Sequence, residues 1–301
     1  ISRAQWLRRL ASRRRDKTAF VLSGGGPFGA LQVGMLRALL ERGIVPDMAV
    51  GTSVGGLNSA FLALDPTVEG VGRLATLWEE IEDEVLFPGA RFKASWARMV
   101  MRGNRVFDNG PFRRFIEERL PVGRIEDARI PLGIVATDLD TGEDEVFTSG
   151  PMVDPLLASA AMPGIYPPVM IGGRTYIDGG VSNAVPIAPA VEMGARKIFV
   201  LNCSGNLQGR KPLTRPMDYL LHAFLISRSR RLEHERPHLA QQAQLIFMPM
   251  PALDVAVPFT SLRHSVELMR LGYEHTAEFL ETNVPALKSE SQTVSKILPA
   301  N

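Results

Sequence analysis

Residues 48–58 read Met48-Ala-Val-Gly-Thr-Ser-Val-Gly-Gly-Leu-Asn58. Met48–Val50 has the apolar character of a short buried strand, and Leu57–Leu64 can continue as a helix. Between them Gly51-Thr52-Ser53-Val54-Gly55 fits G-x-S-x-G, which places a serine at the apex of a sharp strand-to-helix turn. Glycines at 51 and 55 leave room for the neighbouring chain at such a turn. Ser53 then stands at a helix N-terminus, where backbone N–H groups and the macrodipole favour developing negative charge. The pattern alone is weak, because a small-residue helix entry produces it as well; its company decides.

Upstream, Thr18–Ser23 is a continuous apolar run, as expected of a strand buried on both faces. It stops at Gly24-Gly25-Gly26-Pro27-Phe28-Gly29, and Ala30–Arg42 follows with helical apolar spacing closed by Gly43. With Met48–Val50 as the next strand, these residues make one βαβ unit. The expected fold is therefore a three-layer α/β/α arrangement with a mainly parallel central sheet.

Downstream, Ile130–Thr137 reads as a strand paired with Glu145–Thr148 across Thr141-Gly142. The acidic run Asp138-x-Asp140-x-Gly142 is a hairpin tip and not a calcium loop, since Gly142 and Ser149 stand where ligands are needed. Leu156–Met162 is a short helix, and Arg174–Ile177 leads into Asp178-Gly179-Gly180. Pro186–Met193 is helical, Lys197–Asn202 and Leu245–Met248 are strands, and 213–242 is one long helix or two. On that helix Arg228, Arg230, Arg231, Glu233 and Glu235 are assigned to a wet face. Leu262, Val266, Met269, Tyr273, Ala277 and Leu280 form one stripe of a closing helix. Residues 18–285 are expected to make a single domain, with 1–17 a basic segment and 286–301 a tail. Within it, the Met- and aromatic-rich stretch 74–125 suits either a lid and acyl-chain wall or plain helix packing.

A chain of 301 residues with 45% hydrophobic content can bury a large core. The formal charge is only +2, which gives no sign of nucleic-acid binding. Residues 1–17 nevertheless carry a local net of +6, leaving −4 for the remainder. There Trp6, Leu7, Leu10 and Ala11 share one helical face against arginines, which suits peripheral contact with an anionic membrane, or simply a solvated tail. The single cysteine, Cys203, excludes an intrachain disulfide and fits a reducing, cytoplasmic compartment. The long uncharged run Pro155–Gly173 contains four prolines and would break as a spanning helix.

The glycine cluster supports two chemistries. Gly24-x-Gly26-x-x-Gly29 between strand and helix matches a dinucleotide fingerprint, but that fingerprint wants an acid at the end of the second strand. Here the second strand ends in Gly51-Thr52-Ser53, and Asp47 precedes it. Alternatively, the N–H groups of Gly25 and Gly26 converge as an oxyanion hole at the sheet edge that carries Ser53. A serine also needs a base. All five histidines (222, 234, 238, 264, 275) fall late, in helical patterns, so an ordinary Ser-His-Asp triad is disfavoured.

Four blocks together resemble the patatin-like phospholipase family: Gly24-Gly25-Gly26-x-x-Gly29; Gly51–Asn58; Ala158-Ser-Ala-Ala-Met-Pro163 with Tyr166-Pro-Pro168; and Asp178-Gly-Gly180 with Asn183-x-x-Pro186. The resemblance implies a lipid acyl hydrolase with a catalytic Ser53–Asp178 dyad and an oxyanion hole at Gly24, Gly25 and Gly26. It implies no metal and no cofactor, and a lipid or ester substrate. The family often carries Arg or Lys two residues after the third glycine, where this chain has Phe28. Taken alone, Asp178-Gly179 reads first as a turn dipeptide, and the presence of the other blocks reverses that reading. Two rival functions are a nucleotide-dependent enzyme using Gly24–Gly29 and a non-catalytic, membrane-recruited module.

Overall fold

A computed structural model describes residues 16–88, 107–121, 123–203, 216–253, 257–258 and 260–293. The first apolar run becomes β1 (Lys17–Leu22), followed by α1 (Gly29–Glu41), β2 (Met48–Thr52), α2 (Val54–Leu64), α3 (Val68–Glu80), α4 (Asp83–Leu86) and α5 (Gly110–Arg119). Then come β3 (Leu132–Asp138), β4 (Asp144–Phe147), α6 (Val153–Ser159), β5 (Val169–Ile171) and β6 (Arg174–Asp178). The chain closes with α7 (Ile187–Glu192), β7 (Ala195–Leu201), α8 (Pro216–Leu239), β8 (Gln244–Phe247) and α9 (Ser265–Thr293).

The strands form one sheet in the order β5-β6-β3-β2-β1-β7-β8, with β4 also paired to β3. β3, β2, β1, β7 and β8 are parallel neighbours, whereas β4, β5 and β6 are added antiparallel. The strand period of two splits β1 between two cores. Phe20 and Leu22 enter a large cluster with α1, α2, α3 and α9, while Ala19 and Val21 pack with α7 and the end of α8. The result is the expected three-layer α/β/α architecture.

α1 and α9 cross very closely. A Cβ on Gly272 would lie 2.2 Å from the Leu31 carbonyl oxygen, so only glycine admits this approach. That crossing centres the buried face of α9 on Leu268, Gly272 and Thr276 and turns Val266 outward, 61% exposed, against its assignment to the buried stripe. Leu262, Met269, Ala277 and Leu280 are buried as the spacing predicts. α9 also runs on to Thr293, into the segment read as a tail.

Other elements shift modestly. α6 begins at Val153, ahead of the expected Leu156, because Pro155 fits the first helical turn, where its missing N–H costs nothing. The short β5, whose three residues carry no alternation long enough to read, is absent from the sequence-based expectation. Of the range 213–242, Pro216–Leu239 forms one continuous helix. Of the aromatic stretch, Trp78, Phe87, Phe107, Phe112 and Phe115 are buried in the large core. Phe92, Trp96, Met99 and Met101, like the basic head through Arg15, lie outside the described residues.

Candidate active site

Strand register brings the site together. Leu22 pairs with Gly51 across β1 and β2, Thr52 with Val135 across β2 and β3, and Ala136 with Asp178 across β3 and β6. Ser53 and Asp178 therefore leave the two strands flanking β3 at the same level. Because β6 runs against β3, the chain delivers Asp178 to that level and turns away through Gly179-Gly180.

Ser53 adopts φ 57° and ψ −127°, and is the only non-glycine residue with positive φ among the described residues. A bend this tight needs close backbone contact on its inner side; a Cβ on Gly55 would lie 2.2 Å from the Leu22 carbonyl oxygen. The Ser53 N–H donates to Ser159 Oγ (2.7 Å), whose own hydroxyl donates to the Val135 carbonyl (2.6 Å). Ser159 thus ties the apex to β3. It stood within a quoted motif, but no sequence signal distinguished its role from that of a small buried residue.

The Ser53 hydroxyl donates to Asp178 Oδ2 at 2.8 Å. Asp178 is 2% exposed, and its Oδ1 accepts the Gly180 N–H at 2.7 Å. Its backbone is fixed by the Thr137 hydroxyl on its carbonyl (2.9 Å) and by its own N–H on the Ala161 carbonyl (2.9 Å). Burial pushes the Asp178 carboxyl above the ordinary carboxylate range. The nearby Arg228 charge, the Gly180 N–H and the Ser53 hydroxyl each act in the opposite sense.

The glycine loop divides into two parts. Gly24 is buried and its N–H donates to the Ala184 carbonyl at 3.0 Å, so that N–H is not directed at a ligand. Gly25 and Gly26 are partly exposed, and their N–H groups make no hydrogen bond among the described residues. Gly26 adopts φ 58°, which glycine tolerates without strain. Of the three glycines assigned to an oxyanion hole, Gly25 and Gly26 keep donors available, and Gly24 serves as an anchor.

A buried polar chain supports this loop from beneath. Gln32 Nε2 donates to the Ser23 (2.8 Å) and Leu201 (3.0 Å) carbonyls. Asn58 Nδ2 donates to the Gly29 carbonyl (3.0 Å) and to Gln32 Oε1 (2.9 Å), and Trp78 Nε1 donates to Asn58 Oδ1 (2.9 Å). Both ends of the loop are thereby tied to α2, the helix that Ser53 opens.

Asp47 accepts the Thr18 N–H at 2.8 Å, at the start of β1 and thus at the sheet edge opposite the glycine loop. No acid closes β2, so a dinucleotide ribose has no partner there. None of the histidines hydrogen-bonds Ser53 among the described residues. Arg228, assigned above to a wet face, instead turns its guanidinium inward and donates to the Gly24 carbonyl at 3.0 Å. Arg230 remains exposed and pairs with Glu233, whereas Arg231 reaches the Ser182 carbonyl. No group of three or more His, Cys, Asp and Glu among the described residues is placed to hold a metal ion, and no described helix is long and apolar enough to cross a membrane.

A strained elbow serine bonded to a buried strand-end aspartate, on a three-layer α/β scaffold, marks a class of proteins built around a serine–carboxylate pair. Within it, this chain belongs to the patatin-like phospholipase family, whose model matches residues 20–191, more than half of its length. It is 30% identical over 200 residues to "Lysophospholipase NTE1" of Mycosarcoma maydis, covering 64% of this chain and 10% of that protein. It is 33% identical over 194 residues to "Patatin-like phospholipase domain-containing protein ZK370.4" of Caenorhabditis elegans, covering 60% of this chain and 13% of that one. The chain thus spans 10% to 13% of the length of these relatives. Among solved structures, VipD from Legionella pneumophila aligns with a TM-score of 0.45 and 13% identity, covering 89% of this chain and 67% of that one. Phe28, at the position where the family often has a cation, packs against the large core.

Proposed function

We propose that this chain is a lipid acyl hydrolase that cleaves carboxylic esters through a Ser53–Asp178 dyad. The observation that carries the proposal is the 2.8 Å hydrogen bond from Ser53 Oγ to Asp178 Oδ2 at a strained elbow. Asp178 takes the serine proton as Ser53 Oγ attacks the ester carbonyl carbon, and the N–H groups of Gly25 and Gly26 receive the oxyanion. The tetrahedral species collapses to an acyl-serine, and Asp178 returns the proton to the departing alcohol. Asp178 then takes a proton from water, whose oxygen attacks the acyl carbon, and regenerates Ser53 while the fatty acid leaves. Burial raises the basicity of Asp178, which suits it to a step that an ordinary carboxylate performs poorly at neutral pH. The scheme calls for neither metal nor cofactor.

Lipid as the substrate class is supported by family membership and by the names of the relatives. The basic, partly apolar head at 1–17 supports peripheral contact with anionic membranes by an otherwise cytoplasmic protein. The deciding experiment is hydrolysis of short and long p-nitrophenyl esters by wild type, Ser53→Ala and Asp178→Asn, with EDTA present throughout. Both variants are expected to fall by at least about a thousandfold while remaining folded. Near-normal turnover by Asp178→Asn would remove Asp178 as the base. Activity abolished by EDTA would remove the metal-free scheme.

A further inference from the structure

Arg228 lies beyond the residues matched by the family model, on a helix whose sequence gave no hint of a role in the site. Its guanidinium nevertheless sits between the glycine loop and the turn after Asp178. Nη2 donates to the Gly24 carbonyl at 3.0 Å. A Cβ built on Gly24 would lie 3.0 Å from that nitrogen and 3.2 Å from Ser53 Cβ, so the loop is wedged between the arginine and the serine. A Cβ built on Gly180 would lie 2.9 Å from Asp178 Oδ1 and 3.4 Å from Arg228 Cζ. From behind, the Phe224 ring faces the guanidinium, 5.3 Å from centroid to Cζ.

We propose that Arg228 is a positioning residue for the dyad, holding the Gly24 carbonyl and placing its positive charge against the turn that carries Asp178, beside Ser53. This rests on the assignment of Ser53 and Asp178 above. A buried carboxylate without such a charge is driven toward its neutral form, which accepts no proton from serine. Among the described residues, Arg228 is the charged group that acts on Asp178. Asp178 otherwise meets the uncharged Ser53 hydroxyl at the start of α2, the Gly180 N–H of its own turn and, through its carbonyl, the Thr137 hydroxyl of β3. At the end of β7, Cys203 is held neutral because burial pushes its thiol up to about 12. On α8, Arg231 is engaged by the Ser182 carbonyl and Glu235, with Asp144 of β4 at 4.0 Å.

Arg228→Gln retains a donor for the Gly24 carbonyl but removes the charge, whereas Arg228→Lys retains the charge. The acidic limb of kcat/KM against pH is expected to move up by about 1–2 pH units in Arg228→Gln and to stay within about 0.3 unit of wild type in Arg228→Lys. Acidic limbs of wild type and Arg228→Gln that coincide would overturn the proposal, as would an equal, pH-independent loss in both variants. A second readout does not depend on turnover. The thermal stability of each protein minus that of its Asp178→Asn partner, followed against pH, reports the titration of Asp178 itself. The midpoint of that difference should rise in Arg228→Gln and not in Arg228→Lys; an unmoved midpoint overturns the coupling. A shifted midpoint together with Asp178→Asn that still hydrolyses ester would sink the dyad and leave the coupling standing.

Discussion

Ser53 is held in a backbone conformation that costs of the order of 1–3 kcal/mol for a side-chain-bearing residue. Both Ser53→Ala and Ser53→Gly lose the bond to Asp178, but only glycine relieves the strain. Chemical denaturation should therefore find Ser53→Gly more stable than Ser53→Ala by about 1 kcal/mol, with both inactive. Equal stability would mean that the elbow is unstrained. Asp178 yields a prediction of a different sign from most carboxylates. Its folded-state pKa is raised, so the folded protein binds the proton more tightly than the unfolded chain. Wild type should accordingly lose stability relative to Asp178→Asn as pH rises through the raised pKa, and the difference should close as pH falls toward about 4. Thermal unfolding of the two proteins between about pH 4 and 8 checks this. The serine was legible because its turn demands glycines at fixed spacing, and the aspartate became so once the other motifs surrounded it. Arg228 was not, because the sequence does not distinguish an arginine that snorkels outward from one that reaches inward over a neighbour.

At the scale of elements, the polar chain Gln32–Asn58–Trp78 couples α1, α2 and α3 beneath the glycine loop. Asn58→Leu keeps the branched outline of the side chain but leaves Gln32 Oε1 and Trp78 Nε1 without their partner, at about 1–3 kcal/mol for each orphaned group. A lowered denaturation midpoint with a reduced kcat is expected; unchanged stability would mean that water or rearranged partners satisfy these groups. The crossing of α1 and α9 gives a steric counterpart. Gly272→Ala places a methyl carbon 2.2 Å from a backbone oxygen, and the forced separation of the helices should cost about 1–3 kcal/mol in thermal or denaturant unfolding. The closing helix itself was foreseen from its apolar period, but the face that α9 buries was misjudged at Val266. Periodicity locates an apolar stripe, whereas the contact with α1 at Gly272 selects which side of that stripe is pressed inward.

At the scale of the molecule, two cores on either side of one sheet depend on helices from both ends of the chain. α9 covers α1 with Leu268, Met269 and Leu280, so deleting residues 265–301 exposes the outer face of α1. The shortened chain should lose cooperative thermal unfolding and near-UV circular dichroism; a sharp transition at the wild-type temperature would show that α9 is dispensable. The parallel part of the sheet was readable because strands buried on both faces are unbroken apolar runs, as in Phe20–Leu22. The antiparallel extension by β5 and β6 was only half readable. Met170 on β5 is exposed, and three residues carry too little pattern to register as a strand.

The register that aligns Ser53 with Asp178 also sets when the site can exist during synthesis. The bonded pair is separated by 125 positions, and Arg228 reaches Gly24 across 204. Such distant contacts close last in folding, because the loop entropy must be overcome before they contribute. A nascent chain bearing the serine elbow therefore lacks the partner of Ser53 until β6 has been translated and has added itself antiparallel beside β3. The complete arrangement, with the Arg228 guanidinium on the Gly24 carbonyl, waits for α8 as well.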